Sequence, residues 1–181
     1  SLPMAETVLI VDGLDATRRS LARGLTALGY RVQSADGVDG ARGLLEGKEI
    51  GVQVVDLASL GDSGLHLISP ARRPETILLT RPEQVALSIR GMKLGAFAEL
   101  PFPVDLEALD RSIREALAET ERRRSSRRRE THERRQTMED FKVLLVDDEE
   151  DFLESLSERL RLRDVSSDTA RNGEERSEER R

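Results

Sequence analysis

The sequence predicts an α/β domain built on a five-stranded parallel sheet with helices on both faces. Short apolar runs, which suit buried strands, alternate with segments whose apolar residues recur every three or four positions, as on one helix face. Glycine and proline stand between these segments, where turns and helix ends are expected. Over residues 1–117 this alternation is typical of parallel strands joined by crossover helices.

The opening strand and helix show both kinds of apolar pattern, a continuous run for the strand and helical spacing for the helix. "TVLIV" at residues 7–11 is apolar or β-branched throughout, as in a strand that is buried on both faces. The next segment predicts a helix with Asp15 at its N-cap position and Gly29 where the helix would end. Leucines at helical spacing form its apolar face: Leu14, Leu21, Leu25 and Leu28.

The other elements of the predicted domain follow in the same order. The further strands are "YRVQS" (30–34), "VQVVD" (52–56), "TILLT" (76–80) and "AFAEL" (96–100). The further helices are "VDGARGLLEG" (38–47), "GLHLIS" (64–69, stopped by Pro70), "PEQVALSIRGMKLG" (82–95) and "VDLEALDRSIREAL" (104–117). Ligands of such sheets bind beyond the carboxyl ends of the strands, so the chemistry is expected near Asp12, Asp56 and Thr80.

Composition excludes several kinds of site and location. The chain has no cysteine, which rules out disulfides, thiolate metal sites and a cysteine nucleophile. No apolar stretch approaches the ~20 residues that cross a bilayer, and no signal peptide is visible, so a cytoplasmic protein without membrane contact is expected. His66 and His132 have no partner at metal or catalytic spacing, and no nucleophile–base pair or phosphate loop predicts an enzyme.

Changes in composition divide the chain into four parts. Residues 1–3 precede Met4 and read as an expression scar. Residues 4–118 are the predicted domain, 119–138 an arginine- and glutamate-rich helical linker, and 139–181 a further, truncated segment. Residues 118–137 carry 8 basic and 4 acidic side chains, a net charge of +4 in a chain whose net charge is −6. Arginines can grip phosphates, but the interspersed glutamates favour a solvated linker over a nucleic-acid contact.

The last segment repeats the first. "VLLVDDEE" (143–150) matches "VLIVDGLD" (8–15) at a shift of 135 positions, and identities continue to Ala35. The repeat carries the acidic pair Asp147 and Asp148, whereas the first copy carries Asp12 and Gly13. Phe152, Leu156 and Leu160 predict a helical face, and "VSSDTA" predicts a weak strand.

These pieces together resemble the receiver domains of two-component response regulators. "VLIVDGLDATRRSLARGLTALGYRV" is similar to the opening strand and helix of that family, and "VVDLASLGDSGLHLI" to its phosphoacceptor strand and loop. "ILLT" and "GAFAELPFPVDLEAL" are similar to its switch strand and closing motif. The resemblance covers about residues 6–118 and implies a flavodoxin-like, doubly wound fold. Residues 139–181 then resemble the beginning of a second receiver.

The resemblance also implies a site and a cofactor. Receivers accept a phosphoryl group from a kinase histidine onto an aspartate, which matches Asp56, with Mg²⁺ as the cofactor. Asp12 matches a metal-binding acid, and Thr80 matches the switch hydroxyl that bonds a phosphoryl oxygen. The implied metal ligands are therefore Asp12 and Asp56.

Several positions depart from the family pattern. Gly13 replaces the second metal-binding acid, Phe102 stands where a lysine is expected before Pro103, and Glu99 replaces an aromatic switch residue. Ser59 and Leu60 replace a common Met-Pro pair. Loss of a metal ligand and of a cation predicts a weakened Mg²⁺ site, because both offset the charge of the transferred group.

The sequence thus predicts a pseudo-receiver of a phosphorelay, which signals through protein contacts and is poorly phosphorylated at Asp56. Two alternatives stay open: a working receiver phosphorylated by a histidine kinase, and a nucleic-acid contact through the arginines. The expected partners are a histidine kinase or another signalling protein, and a second copy bound through the fourth and fifth helices and the linker helix.

Overall fold

The structure, a computed structural model, describes residues 6–69, 71, 73–139, 142–163 and 166–170. The expression scar predicted at residues 1–3 lies outside these residues. The chain separates into two units, Ser1–Arg122 and Arg123–Arg181.

The first unit contains the predicted five-stranded parallel sheet, in the order β2-β1-β3-β4-β5. The apolar runs form its central strands because a strand covered by helices on both faces needs apolar side chains on both sides. The fifth strand is shorter than predicted and is shifted toward Pro101. The strands are β1 (Thr7–Val11), β2 (Arg31–Ala35), β3 (Val52–Asp56), β4 (Glu75–Thr80) and β5 (Ala98–Pro101).

Helices connect these strands, as the spacing of apolar residues predicts. They are α1 (Asp15–Ala27), α2 (Val38–Gly47), α3 (Leu57–Leu60), α4 (Val85–Leu94) and α5 (Leu106–Glu139). Gly29 and Gly95 end α1 and α4 with φ angles of 99° and 108°, a left-handed backbone that glycine adopts without strain.

Two local predictions are wrong. Asp15 is the first residue of α1 and not its N-cap; Leu14 is the N-cap and makes no side-chain cap, while Asp15 pairs with Arg18. "GLHLIS" does not form an α-helix: α3 ends at Leu60, and a 3-10 helix continues over Gly61–Leu67. This segment is tightened because Gly64 packs against Leu57 and Val55, where a side chain would not fit.

Two apolar clusters cover the two faces of the sheet. One lies under α1 and α5 and includes Ile10, Leu25, Leu109 and Ile113; the other lies under α2 to α4 and includes Leu9, Leu57 and Leu78. The alternation of β1 side chains between the clusters follows from the two-residue period of a strand. Both clusters leave the carboxyl ends of the strands free for polar groups.

Helix α5 continues far beyond the predicted apolar face. Leu109, Ile113 and Ala116 are buried against the sheet, but from Arg124 to Arg135 every side chain is exposed. The predicted linker is therefore helical over its described residues. Among the residues that the structure describes, no helix combines the length and the apolar character that crossing a bilayer requires.

The second unit repeats the opening of the first. It contains β6 (Lys142–Val146), α6 (Glu150–Arg161) and β7 (Ser166–Ala170), and β6 pairs with β7 in parallel. Lys142 lies opposite Ser166 as Thr7 lies opposite Arg31, so the register follows the sequence repeat. Phe152 does not lie on the buried face of α6; it is 52% exposed, and Leu153 is buried in its place.

Candidate functional site

Three polar residues meet the carboxyl-terminal edge of the five-stranded sheet. Asp12 directly follows β1, Asp56 ends β3, and Thr80 ends β4. β1 and β4 are the two neighbours of β3, so the topology brings all three residues to one edge. All three are buried, which is costly for a carboxylate that has no counter-charge.

Asp56 lies at the turn from β3 into α3. Its Oδ1 accepts a hydrogen bond of 2.9 Å from the backbone N–H of Ala58 and so caps the short helix. Its Oδ2 has no hydrogen-bond partner among the described residues, although the residue is 1% exposed. One carboxylate oxygen of Asp56 is therefore left for a group that the chain itself does not provide.

Asp12 is held in a similar way. Its Oδ1 accepts a 2.8 Å bond from the N–H of Leu14, and its carbonyl oxygen accepts a 2.8 Å bond from Nη1 of Arg18. Its Oδ2 also lacks a hydrogen-bond partner within the described part of the chain. Backbone N–H groups thus orient both carboxylates, and one oxygen of each has no hydrogen-bond partner among the described residues.

The pKa of Asp56 reflects the burial of its carboxyl and the nearby negative charge of Asp12. The pKa of its carboxyl is raised from 3.8 to about 6, first by burial, then by the negative charge of Asp12 and by hydrogen bonding between the two side chains. The N–H of Ala58 and the hydroxyl of Ser59 act against this shift. Two buried carboxylates without a cation are repulsive, which is the condition that a bound cation relieves.

Ser59 connects the two acidic loops. Its Oγ accepts a 2.9 Å bond from the N–H of Gly13 and lies 3.3 Å from Oδ1 of Asp12 and 3.2 Å from the carbonyl oxygen of Asp56. A Cβ atom at Gly13 would meet Oγ of Ser59 at 3.5 Å, an ordinary contact. The loop therefore has room for a side chain at position 13, and the missing acid is a matter of sequence rather than of space.

The two carboxylates at this edge are a donor set that suits Mg²⁺. Mg²⁺ is commonly held by one or two carboxylates with water and phosphate oxygens completing an octahedron. Asp12 and Asp56, each with an unpartnered buried oxygen, fit that requirement. Within the described ranges, no group of three His, Cys, Asp or Glu side chains could hold a metal.

Thr80 bonds to Glu99, at the position where the resemblance implies an aromatic switch residue. Its hydroxyl donates a 2.7 Å bond to Oε1 of Glu99, and the other carboxylate oxygen of Glu99 accepts a bond from Ser88 of α4. The three side chains line a cavity of about 300 Å³ together with Arg81, Pro82, Val85 and Pro101. The donor of the predicted switch hydroxyl is thus already bonded.

Phe102 occupies the position expected for lysine. Its N–H donates a 2.8 Å bond to the carbonyl oxygen of Thr80, and its ring packs against the cluster under α1 and α5. The guanidinium of Arg81 lies 5.4 Å from the ring centroid, a cation–π distance. An apolar ring therefore fills this position, and the guanidinium of Arg81 lies over the ring.

The repeated segment reproduces the geometry around its first acid. The N–H of Asp147 bonds the carbonyl oxygen of Ala170 at 3.3 Å, as Asp12 bonds Ala35 at 3.1 Å. Oδ1 of Asp147 accepts from the N–H of Glu149 at 3.0 Å. Asp148 is exposed.

Sequence reasoning missed two residues of this edge. Ser59 departs from the family pattern in sequence, but its bonds to both acidic loops arise only in the folded chain. Ser88 gave no sequence signal, since a serine at helical spacing in α4 is usually only a surface residue. Residue spacing could have placed Ser88 near the end of β5 but not on the carboxylate of Glu99.

Relatives in sequence are regulatory proteins. The chain is 35% identical over 108 residues to the "Acid tolerance regulatory protein ActR" of Rhizobium meliloti (strain 1021), covering 56% of this chain and 55% of the relative. It is 25% identical over 111 residues to the "Photosynthetic apparatus regulatory protein RegA" of Rhodobacter capsulatus, covering 59% and 60%. The chain thus spans little more than half the length of these relatives. No family model matches the sequence.

Solved structures of receiver domains share the fold of this chain. A response regulator receiver domain protein (CheY-like) from Methanospirillum hungatei JF-1 superposes with a TM-score of 0.60 at 26% identity. The match covers 66% of this chain and 98% of that protein. A whole receiver domain therefore corresponds to the five-stranded part of this chain.

Proposed function

We propose that this protein, whose five-stranded unit has the fold of a response regulator receiver domain, is a two-component signalling protein whose Asp56 is phosphorylated slowly. A histidine kinase is the partner that this chemistry requires, and Asp56 is the proposed phosphoacceptor. The observation that carries the proposal is the pair of buried carboxylates, Asp12 and Asp56, each of which has an oxygen without a hydrogen-bond partner among the described residues. Gly13 and Phe102 stand at the positions where the family has a further acid and a lysine.

The weak points of the site lie on two separate loops. Gly13 offers no carboxylate, so a hydrated Mg²⁺ would be held by Asp12 and Asp56 alone. Phe102 places a ring where the family places a lysine, so no side chain of this position offsets phosphoryl charge. Each loss of a positioned electrostatic group costs on the order of 10²–10³ in rate.

The bonding of Thr80 supports the same proposal. In the proposed reaction the hydroxyl would donate to a phosphoryl oxygen, and it must first leave Oε1 of Glu99, 2.7 Å away. Glu99 also accepts a bond from Ser88, so the loss of its bond to Thr80 would affect α4. We propose that this exchange replaces the movement of an aromatic switch residue.

The test is incubation of the full chain with Mg²⁺ and a small phosphodonor, followed by intact-mass measurement. We expect slow or no gain of a phosphoryl mass in the native chain and a rise of about 10²-fold or more in Gly13→Asp with Phe102→Lys. Gly43→Asp with Phe102→Lys is the matched control, since it changes the charge equally but places the carboxylate at a glycine of α2 with free space around it. Asp56→Asn should abolish any gain.

A second candidate, an ordinary phosphoacceptor, is favoured by the unpartnered oxygens of Asp12 and Asp56 and by the raised pKa of Asp56. Rapid phosphorylation of the native chain, with no improvement in Gly13→Asp, would support this candidate and overturn the first.

We further propose that the repeated segment, residues 139–181, is the start of a second receiver-like domain. The matching register of β6 and β7 and the matching bonds of Asp147 support it.

A second copy of the chain is a proposed partner through α4 and α5, because Val85, Ile89 and Met92 form an exposed apolar stripe on α4. Sedimentation equilibrium of the native chain and of Ile89→Asp tests this contact. We expect the native chain to form a dimer and the variant to lose it, because a charge would be placed in the apolar stripe.

A further inference from the structure

We propose that α5 binds duplex DNA through one face on which six arginines lie together without an acidic residue. This face, called here the arginine face, is formed by Arg123, Arg124, Arg127, Arg128, Arg134 and Arg135. The inference goes beyond phosphoryl signalling and depends on the helix alone.

The helix separates charges that the sequence interleaves. Projected at ~100° per residue, the six arginines fall within an arc of about 140°. Thr120 and Thr131 fall on the same arc, and their hydroxyls are bonded to carbonyl oxygens one turn back. The remaining arginines and the glutamates of residues 118–137 project outside the arc: Glu119, Glu121, Arg122, Arg129, Glu130 and Glu133.

The other side of α5, called here the mixed face, carries both acidic and basic residues and contains an ion pair. Arg122 bonds Glu119 at 2.8 Å, three residues apart and outside the arginine face. The sequence-based expectation that glutamates dilute the basic field therefore holds along the chain but not around the helix. Acids and bases share one side, and the other side is basic.

The arginine face is exposed and extended. Arg124, Arg127, Arg128, Arg134 and Arg135 are exposed, and Arg123 is half-buried. The face runs from Arg123 to Arg135. At ~1.5 Å rise per residue it is roughly 18 Å long, which corresponds to about five base pairs at ~3.4 Å each. A helix of ~10–12 Å diameter matches a major groove of ~12 Å.

The residue types select phosphate backbones. Guanidinium groups bond phosphate oxygens in pairs, and a run of such contacts yields affinity without sequence preference. The stretch 118–137 has no Phe, Tyr or Trp on which unpaired bases could stack, so duplex is favoured over single strands. It also lacks the apolar face that an interfacial membrane helix inserts into lipid.

The net charge of the chain does not oppose this contact. The stretch 118–137 has a net charge of +4, from 8 basic and 4 acidic side chains. Charges farther than the Debye length, ~8 Å at physiological salt, are screened, so the local face decides the attraction.

The experiment is fluorescence anisotropy of a labelled 20-base-pair duplex of random sequence, titrated with the full chain at 50 and 200 mM salt. We expect binding at low salt that weakens by about 10²–10³-fold at the higher salt, as for four to six phosphate contacts. Arg127→Gln with Arg135→Gln removes two charges from the face and should weaken binding at 50 mM by roughly tenfold or more. Arg122→Gln with Arg129→Gln removes the same charge from the mixed face and should have a much smaller effect.

Three results would overturn the proposal. The first is no binding at 50 mM salt; the second is an equal loss in both double variants, which would mean attraction by bulk charge. The third is tighter binding to phosphatidylserine vesicles than to the duplex, which would make a membrane the partner. Circular dichroism of both variants checks that the helix is retained, since glutamine and arginine have similar helix propensities.

Discussion

Asp56 is placed where a carboxylate is needed for chemistry but is costly for folding. It is 1% exposed, one of its oxygens is unpartnered, and the charge of Asp12 acts on it. The folded chain therefore binds a proton at Asp56 more tightly than the unfolded chain does. The site stores electrostatic repulsion that a bound cation would relieve.

We expect Asp56→Asn to stabilise the fold at pH 7. The carboxyl pKa is raised from 3.8 to about 6, so its favourable contribution is complete below pH 3.8 and is lost as pH rises through about 6. At ~1.4 kcal/mol per pKa unit, the variant should gain on the order of 1–3 kcal/mol in free energy of unfolding at pH 7. Urea unfolding at pH 4 and pH 7, with chelator present, measures the gain.

The control is Asp36→Asn, an exposed carboxylate in the loop after β2. Its free energy of unfolding should change little at either pH. A variant at Asp56 that is less stable than the native chain at pH 7 would contradict the idea that this carboxylate is destabilising.

At the scale of elements, helix α4 depends on a glycine for its approach to the sheet. A Cβ atom at Gly91 would overlap Cδ1 of Leu78 in β4 and lie 3.3 Å from Cδ2 of Leu65. Glycine is otherwise unfavourable in a helix interior by about 1 kcal/mol. Close packing on β4, the strand that carries Thr80, explains its presence.

Gly91→Ala should therefore destabilise the first unit, although alanine is the better helix former. Overpacking costs about 1–3 kcal/mol, which exceeds or cancels the gain in propensity. Gly43→Ala in α2 is the matched variant, because nothing lies within 4 Å of its Cβ position. It should raise the thermal midpoint; equal changes in the two variants would refute the packing argument.

At the scale of the whole molecule, the two units have cores of very different size. The first unit buries apolar side chains on both faces of its sheet, in two clusters. In the described part of the second unit, Leu153 and Ala170 are the buried apolar residues. A small core supplies little stabilisation against the loss of chain entropy.

We expect amide hydrogens of β6 and β7 to exchange with solvent much faster than those of β1, β3 and β4. Leu153→Ala removes the largest buried side chain described for the second unit and should accelerate exchange there by 10-fold or more, since such truncations cost about 2–5 kcal/mol. Leu79→Ala in β4 is the counterpart in the first unit. Exchange of β6 as slow as that of β3 would contradict this view.

The sequence predicted the fold because periodicity carries the needed information. Apolar strands such as Val52–Asp56 and the leucine spacing of α1 fixed the alternation, and a parallel order follows from it. Asp12, Asp56 and Thr80 could be placed at one edge for the same reason. The repeat likewise predicted β6, since the same residues favour the same strand.

Local errors arose where tertiary contacts override local preference. Asp15 resembles an N-cap, but Asp12 already bonds the N–H of Leu14, and Asp15 pairs with Arg18. Phe152 fits the apolar period of α6, yet Leu153 is the buried residue. Patterns of spacing do not say which of two neighbouring side chains the sheet will cover.

By itself, the sequence determined the order of strands and helices, the two acids at the sheet edge and the missing third acid. The tertiary structure decided the bond from Thr80 to Glu99 and the bridge by Ser59. The physical reason is that composition and period act along the chain. Hydrogen bonds and electric fields depend on distance in space, which is set when the helices and strands have packed.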